Sequence, residues 1–159
     1  KLVGNDANNI LMGEAGNDRL NGREGEDTLI GGSGNDVYIL GRDYGVDTVI
    51  ENDATNGNID TARFLSDISA DQVWFQHVGN NLEASIIGTT DKLVLNDWYL
   101  GSDYHIERFK TSDGLTLLDS QVDDLVVAMA GFAPPDVGQI TLPTDYAAVL
   151  DPVIASLWV

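Results

Sequence analysis

The sequence contains no cysteine, which excludes disulfides, thiolate metal sites and a cysteine nucleophile. An exported chain of this size must then be fastened by a good core or by something else. Basic residues are scarce. Eight Lys and Arg stand against 26 Asp and Glu in 159 residues, a formal net charge of −18. That deficit argues against DNA or RNA as a partner, because phosphate binding needs clustered Lys and Arg. It also argues against an anionic membrane surface. No apolar run approaches the roughly 20 residues of a transmembrane segment. The opening Lys1-Leu2-Val3-Gly4 has no signal-peptide pattern, so any export address is expected elsewhere or in a longer parent. His77 and His105 lack the paired spacing of a metal site and read as strand or surface residues. There is no Walker loop. Gly32-Ser33-Gly34 is no nucleophile elbow, because position 35 is Asn, and Asn52–Asp60 lacks the terminal Glu of an EF-hand. No enzyme activity is expected of this chain.

What is present is apolar matter and acid. A hydrophobic share of 43% is enough for a core. A charge of −18 repels itself on compaction unless counterions sit inside the fold, so cation binding is the first expectation. Glycine is 17 of 159 residues, and ten of the 17 lie between Gly4 and Gly45. The bias is periodic. Gly4, Gly13, Gly22 and Gly31 open four consecutive nonapeptides, GNDANNILM, GEAGNDRLN, GREGEDTLI and GGSGNDVYI. Ala7, Gly16, Gly25 and Gly34 hold the fourth place; Asn9, Asp18, Asp27 and Asp36 hold the sixth. Leu2, Leu11, Leu20, Leu29 and Tyr38 recur at the eighth. Degraded rows follow at Gly45–Val49 and at Asp60-Thr61.

Six residues of Gly, Asn and Asp make a turn that demands positive φ. Three residues then form a short strand whose middle side chain points inward. Two such units make one 18-residue coil, so turns on one edge recur every 18 residues. Asn9 then lies beside Asp27, and Asp18 beside Asp36. Carboxylates stacked about 4.8 Å apart repel unless a cation sits between them. A flexible oxygen-only ligand set favours Ca²⁺ over Zn²⁺ or Mg²⁺.

The rows resemble the RTX nonapeptide of parallel β-rolls, G-G-x-G-x-D-x-U-x with U large and apolar. The resemblance implies ligand sets of turn carbonyls plus sixth-place carboxylates. One is Glu14, Gly16 and Asp18 with Gly31, Ser33 and Asp36. A second is Asn5, Ala7 and Asn9 with Gly22, Glu24 and Asp27, weakened by the neutral Asn9 oxygen. A third joins Arg23, Gly25 and Asp27 to the Asp43–Asp47 turn. A fourth joins Gly32, Gly34 and Asp36 to a residue within Asp53–Asp60. Two to four calcium ions are thus expected, with Asp47 and Asp60 in the last two sets.

From Ala62 the composition changes. Val73-Trp74-Phe75, Gly79-Asn80-Asn81 and Leu82–Ile87 read as a hairpin. Asp91–Leu95, Ile106–Lys110 and Leu115–Leu118 read as strands, with Ser112-Asp113-Gly114 as a turn. Ser120-Gln121-Val122-Asp123 is a helix-start signature, and Val122, Leu125, Val126 and Met129 share a helical face. Val73–Met129 resembles the module that follows β-rolls in RTX proteins. Trp74, Trp98 and Tyr99 could stack sugars, but aromatics in strands are more often core. The tail Asp136–Val159 is expected to form two short helices, Asp145–Leu150 and Pro152–Leu157, the second capped by Asp151. It resembles the C-terminal signal of type I secretion substrates.

The expected fold is mainly β: a short parallel β-roll of 18-residue coils, continued by a β-rich α+β module with one or two C-terminal helices. Its expected divisions are a roll over 1–63, a module over 64–131 and a tail over 132–159. Outward Ile10, Met12 and Ile30 would be a liability on a solvated sheet. The module is therefore expected to cover the sheet that carries them. The expected function is a calcium-binding, secreted, monomeric module that folds on meeting calcium after export by the type I machinery. Its parent would be a larger protein, since the first row starts in mid-repeat. The alternatives are an adhesin or carbohydrate-binding module, or the non-catalytic tail of a secreted enzyme or toxin.

Overall fold

The computed structural model describes residues 1–159. The nonapeptide rows give β1 Leu2–Val3, β2 Ile10–Met12, β3 Arg19–Asn21, β4 Thr28–Ile30 and β5 Val37–Leu40. The degraded rows give β6 Val46–Ile50 and β7 Thr61–Phe64. Alternate strands pair in parallel, β1–β3–β5–β7 in one sheet and β2–β4–β6 in the other. Within the repeats the register advances by one coil, pairing Leu2 with Leu20 and Leu11 with Leu29. The second, third and fourth nonapeptide turns run through left-handed backbone at their second and fourth places. Glu14 (φ 69°) and Arg23 (φ 73°) hold the second place against the preference of side chains, whereas Gly32 (φ 96°) holds it freely. At Gly32 a β-carbon would also overlap the Glu14 carbonyl of the turn above.

The chain continues as β8 Val73–Val78, β9 Asn81–Ile86, β10 Lys92–Leu95, β11 Arg108–Lys110 and β12 Thr116–Leu118. The two helices are α1 Asp119–Met129 and α2 Thr144–Leu157. β10 adds in parallel to β6, and β11 adds in parallel to β7. Antiparallel β9 and β8 then extend one sheet, and β12 the other. Two six-stranded sheets therefore run from the roll through the rest of the chain.

The expected covering of the β2–β4–β6 sheet does not occur at β2, although Ile30 on β4 is half-buried. Ile10 and Met12 are 70% and 56% exposed. The module continues the hydrogen-bonded edges of β6 and β7 instead of packing on a face. Open parallel edges carry unpaired N–H and C=O groups, and pairing them satisfies more polar groups than capping an outward face would.

The core lies between the sheets. Leu20, Leu29, Tyr38, Val49 and Ala62 form its roll portion, and Leu11 is half-buried. Phe64, Trp74, Phe75, Trp98, Phe109 and Leu117 form the rest, roofed by Val122, Leu125 and Met129 of α1. Phe75 meets Phe109 edge-on at 5.2 Å. Helix α1 starts one residue before Ser120, and the Gln121 side chain accepts the Leu118 N–H (3.2 Å).

The two short tail helices are one. Pro152 sits inside α2 and removes one backbone bond. Burial of Leu150 and Ile154, with Trp158 one turn further on, holds the segment helical across it. Val159 closes the chain by two backbone bonds to Thr116 (2.7 and 3.0 Å). Trp158 is 2% exposed against Phe75, with its indole Nε1 unpartnered. Trp158→Ala should lower calcium-saturated stability by about 3 kcal/mol in urea unfolding, the low end for such a truncation because an unpaired N–H goes with the ring. A change below about 0.5 kcal/mol would mean that the tail does not dock.

Candidate metal centre

The two edges of the roll each carry a ladder of acid. On one edge the Asp18 N–H donates to Asp36 Oδ1 (2.7 Å) and the Asp36 N–H to Asp60 Oδ1 (2.6 Å). The Asp60 N–H then donates to Glu107 Oε2 (2.6 Å). On the other edge the Asn9 N–H donates to Asp27 Oδ1 (2.7 Å) and the Asp27 N–H to Asp47 Oδ1 (3.1 Å). Beside Asp47, the N–H groups of Asp43 and Gly45 donate to the two oxygens of Asp91 (2.9 and 2.8 Å). Asn9, Asp18, Asp27, Asp36, Asp60, Asp91 and Glu107 each stand just before a strand, whereas Asp47 is the second residue of β6.

The rungs that end on Asp27, Asp36 and Asp47 employ one carboxylate oxygen and leave the other bare. Oδ2 of Asp27, Asp36 and Asp47 is buried with no hydrogen-bond partner, and the three residues are at most 1% exposed. A bare carboxylate oxygen in the interior is costly unless a cation or a proton meets it. None of the three pairs with Lys, Arg or His. Gly22 and Gly31 stand against Asp27 Oδ2 and Asp36 Oδ2 so closely that a β-carbon would overlap the oxygen. The donors are hard, all-oxygen and unneutralised, which fits Ca²⁺.

Burial dominates the electrostatics. It pushes Asp47 and Asp60 up to about 7, reinforced by the Asp27 and Asp91 charges in the first case and by Glu107 and Asp36 in the second. Asp36 is raised by burial and by the Asp18 and Asp53 charges. Glu51 rises to about 9 through burial and the surrounding Asp60, Asp36 and Glu107. Asp53, near the surface, moves the other way, held down first by the Thr55 hydroxyl.

The remaining expected ligands fall along the same turns. Glu14 and Gly16 face Ser33, whose N–H bonds the Glu14 carbonyl and whose carbonyl accepts the Gly16 N–H (both 2.8 Å). A carbonyl has a second lone pair to offer an ion. The first turn closes on itself: Asn9 Oδ1 accepts the Asn5 N–H (2.8 Å), and Asn5 Oδ1 accepts the Ala7 N–H (2.9 Å). Arg23 and Glu24 are exposed on their turn, and Gly25 bridges Gly45. The Gly34 N–H donates to Asp53 Oδ2 (3.2 Å).

Three acids outside the expected sets stand at the ladders, Glu51, Asp91 and Glu107, while Asp53 falls within the Asp53–Asp60 stretch of the fourth set. Glu107 carried a readable signal. Glu107-Arg108-Phe109 repeats the acid-x-apolar order of Asp36-Val37-Tyr38, and Phe109 pairs with Ala62 just as Ala62 pairs with Tyr38. Trp74 and Trp98 are core residues, each 2% exposed, so they present no sugar-stacking face. Tyr99 lies half-buried, stacked on His77 at 3.6 Å.

Family comparison agrees with this geometry. Four copies of the RTX calcium-binding nonapeptide repeat match residues 3–38. The roll is an RTX β-roll. Residues 81–121 match the haemolysin-type calcium binding protein related domain, so Asp91 and Glu107 both come from the related domain to the ends of the RTX ladders. The RTX roll is a calcium-binding module, and the bare Asp27, Asp36 and Asp47 oxygens are the side-chain donors that fit the ion best. No helix is long and apolar enough to cross a membrane.

Proposed function

We propose that this chain is a non-catalytic, monomeric folding module of a larger secreted protein. It leaves the cell by type I secretion unfolded and folds on meeting calcium outside. The observation that carries the reading is the row of buried, unpartnered carboxylate oxygens on Asp27, Asp36 and Asp47. Extracellular modules bind calcium with Kd of about 10⁻⁴–10⁻³ M, far above cytosolic levels. Inside the cell the ladders would hold like charges face to face without ions, and the turns would not close. The tail Asp136–Val159 would be read as a secretion signal before folding. Once folded, it buries Leu150, Ile154 and Trp158.

Calcium titrations followed by circular dichroism test this. Asp27→Ala and Asp36→Ala each remove a buried bare carboxylate and should raise the calcium midpoint several-fold. Asn9→Ala removes a neutral, half-exposed amide and should raise it less. Equal midpoints for all three variants would remove the aspartates from the ion's coordination.

A further inference from the structure

The junction between the roll and the related domain holds an acid cluster that the nonapeptide pattern does not specify. Ile30 pairs with Ile50, so Glu51 stands where Gly31 stands one coil earlier. The repeat places only backbone at that position; here it carries a carboxylate. One oxygen from each of Asp36, Glu51 and Asp60 lies within 4.8 Å of the others, and the three residues are 0%, 3% and 3% exposed. Asp36 Oδ2 has no partner. A β-carbon on Gly31 would overlap both that oxygen and the Tyr38 hydroxyl, which places the bare oxygen beside Tyr38. The Tyr38 hydroxyl in turn donates to Glu51 Oε1. The unpartnered oxygen therefore faces the Glu51 side of the cluster.

The lid of this cluster comes from the related domain. Glu107 Oε2 accepts the Asp60 N–H, and the Asp53 N–H donates to the Asp103 carbonyl (3.1 Å). The 102–107 loop is thus stacked on the 51–60 turn as one repeat turn is stacked on another. No Lys, Arg or His pairs with Asp36, Glu51, Asp60 or Glu107.

We propose that Asp36, Glu51 and Asp60, closed by Glu107, form a divalent-cation site built from side-chain carboxylates, and that the ion there fastens the related domain to the last turn of the roll. The inference rests on the roll's being a calcium module, and goes beyond it in assigning Glu51 and Glu107. Charge and donor type select a hard divalent ion. Glu51 and Glu107 add two acids to the aspartate pair that a repeat turn would offer, so the site should bind more tightly than the one near Asn9.

Isothermal titration of the whole chain with calcium, wild type against Glu51→Gln and Glu107→Gln, tests the site. Glutamine keeps the oxygen that accepts the Tyr38 or Asp60 hydrogen bond, so both variants preserve the local bonding. Glu51→Gln should lose one binding equivalent, or weaken it more than about tenfold, with the other equivalents unchanged. It should also raise Tm in chelator, because a crowded acid is gone. Glu107→Gln should weaken the same equivalent and abolish the calcium-dependent hydrogen-exchange protection of residues 102–107. If the wild type binds calcium and both variants bind it with the same number and affinity, the junction site is wrong while the calcium module stands. If the wild type binds none, the module reading fails first. Should Glu51→Gln not fold, unchanged binding by Glu107→Gln alone overturns the proposal.

Discussion

In chelator, residues 1–60 should lose their β signal and amide protection, and millimolar calcium should restore both cooperatively. The core explains why the roll is vulnerable. Its buried inward side chains are essentially one per row, Leu20, Leu29, Tyr38 and Val49, and Leu11 is already half-exposed. The large aromatic residues Trp74, Phe75, Trp98 and Phe109 all lie downstream. At calcium ten times Kd each ion stabilises by about 1.4 kcal/mol. Three or four ions contribute about 4–6 kcal/mol, comparable with the whole stability of a domain at about 5–15 kcal/mol. The amides of Asn9, Asp18, Asp27 and Asp36, which donate into the ladders, should be the most sensitive reporters. Equal protection of these amides with and without calcium would contradict a calcium-held roll, whatever the downstream segment does.

Acid should partly replace calcium. In the ion-free chain Glu51 is pushed up to about 9 and Asp47 and Asp60 up to about 7, with burial the first cause in each. Carboxyls of the unfolded chain titrate near 4. Between those values the folded state holds more protons than the unfolded state, so stability falls as pH rises. The stabilisation is fully present near pH 4, fades through pH 7 as Asp47 and Asp60 ionise, and is gone by about pH 9 with Glu51. Asp53, which is lowered, opposes this only at the acid end. Discounted for solvent screening, the sum is on the order of a few kcal/mol, or roughly 10 °C in Tm for a chain of this length. Thermal scans in chelator should therefore give a higher Tm at pH 5 than at pH 8, and saturating calcium should flatten the difference. A chelated chain more stable at pH 8 than at pH 5 would show that the buried acids are not the controlling groups.

The roll was legible because its information is local and repeated. Leu2, Leu11, Leu20, Leu29 and Tyr38 set the inward face, and the 18-residue spacing put Asp18 under Asp36. Legibility faded where turns lengthened. The rung from Asp27 to Asp47 spans 20 residues and the rung from Asp36 to Asp60 spans 24, so no fixed period finds them. The acid-x-apolar signal of Glu107 did not say what it stacks on, and nothing local said so for Asp91. Their pairing with the roll depends on β11 and β10 finding β7 and β6, and sequence patterning does not encode such a non-local choice. Outward Ile10 and Met12 suggested a cover, yet edge pairing prevailed because backbone groups must be satisfied and scattered apolar surface need not be hidden. Pro152 suggested a break in the tail, and the apolar face through Leu150 and Ile154 overrode it.

The shared sheets give the molecule a direction. β10 and β11 present ready-made parallel edges, and each coil that settles on them creates the same edge again for the coil before it. On the proposed reading, order would spread from the carboxyl end toward the amino end like a crystal growing on a seed, with ions captured as the layers form. Such a template is indifferent to the length of what it organises: rows could be added or lost at the far end without redesigning the nucleus.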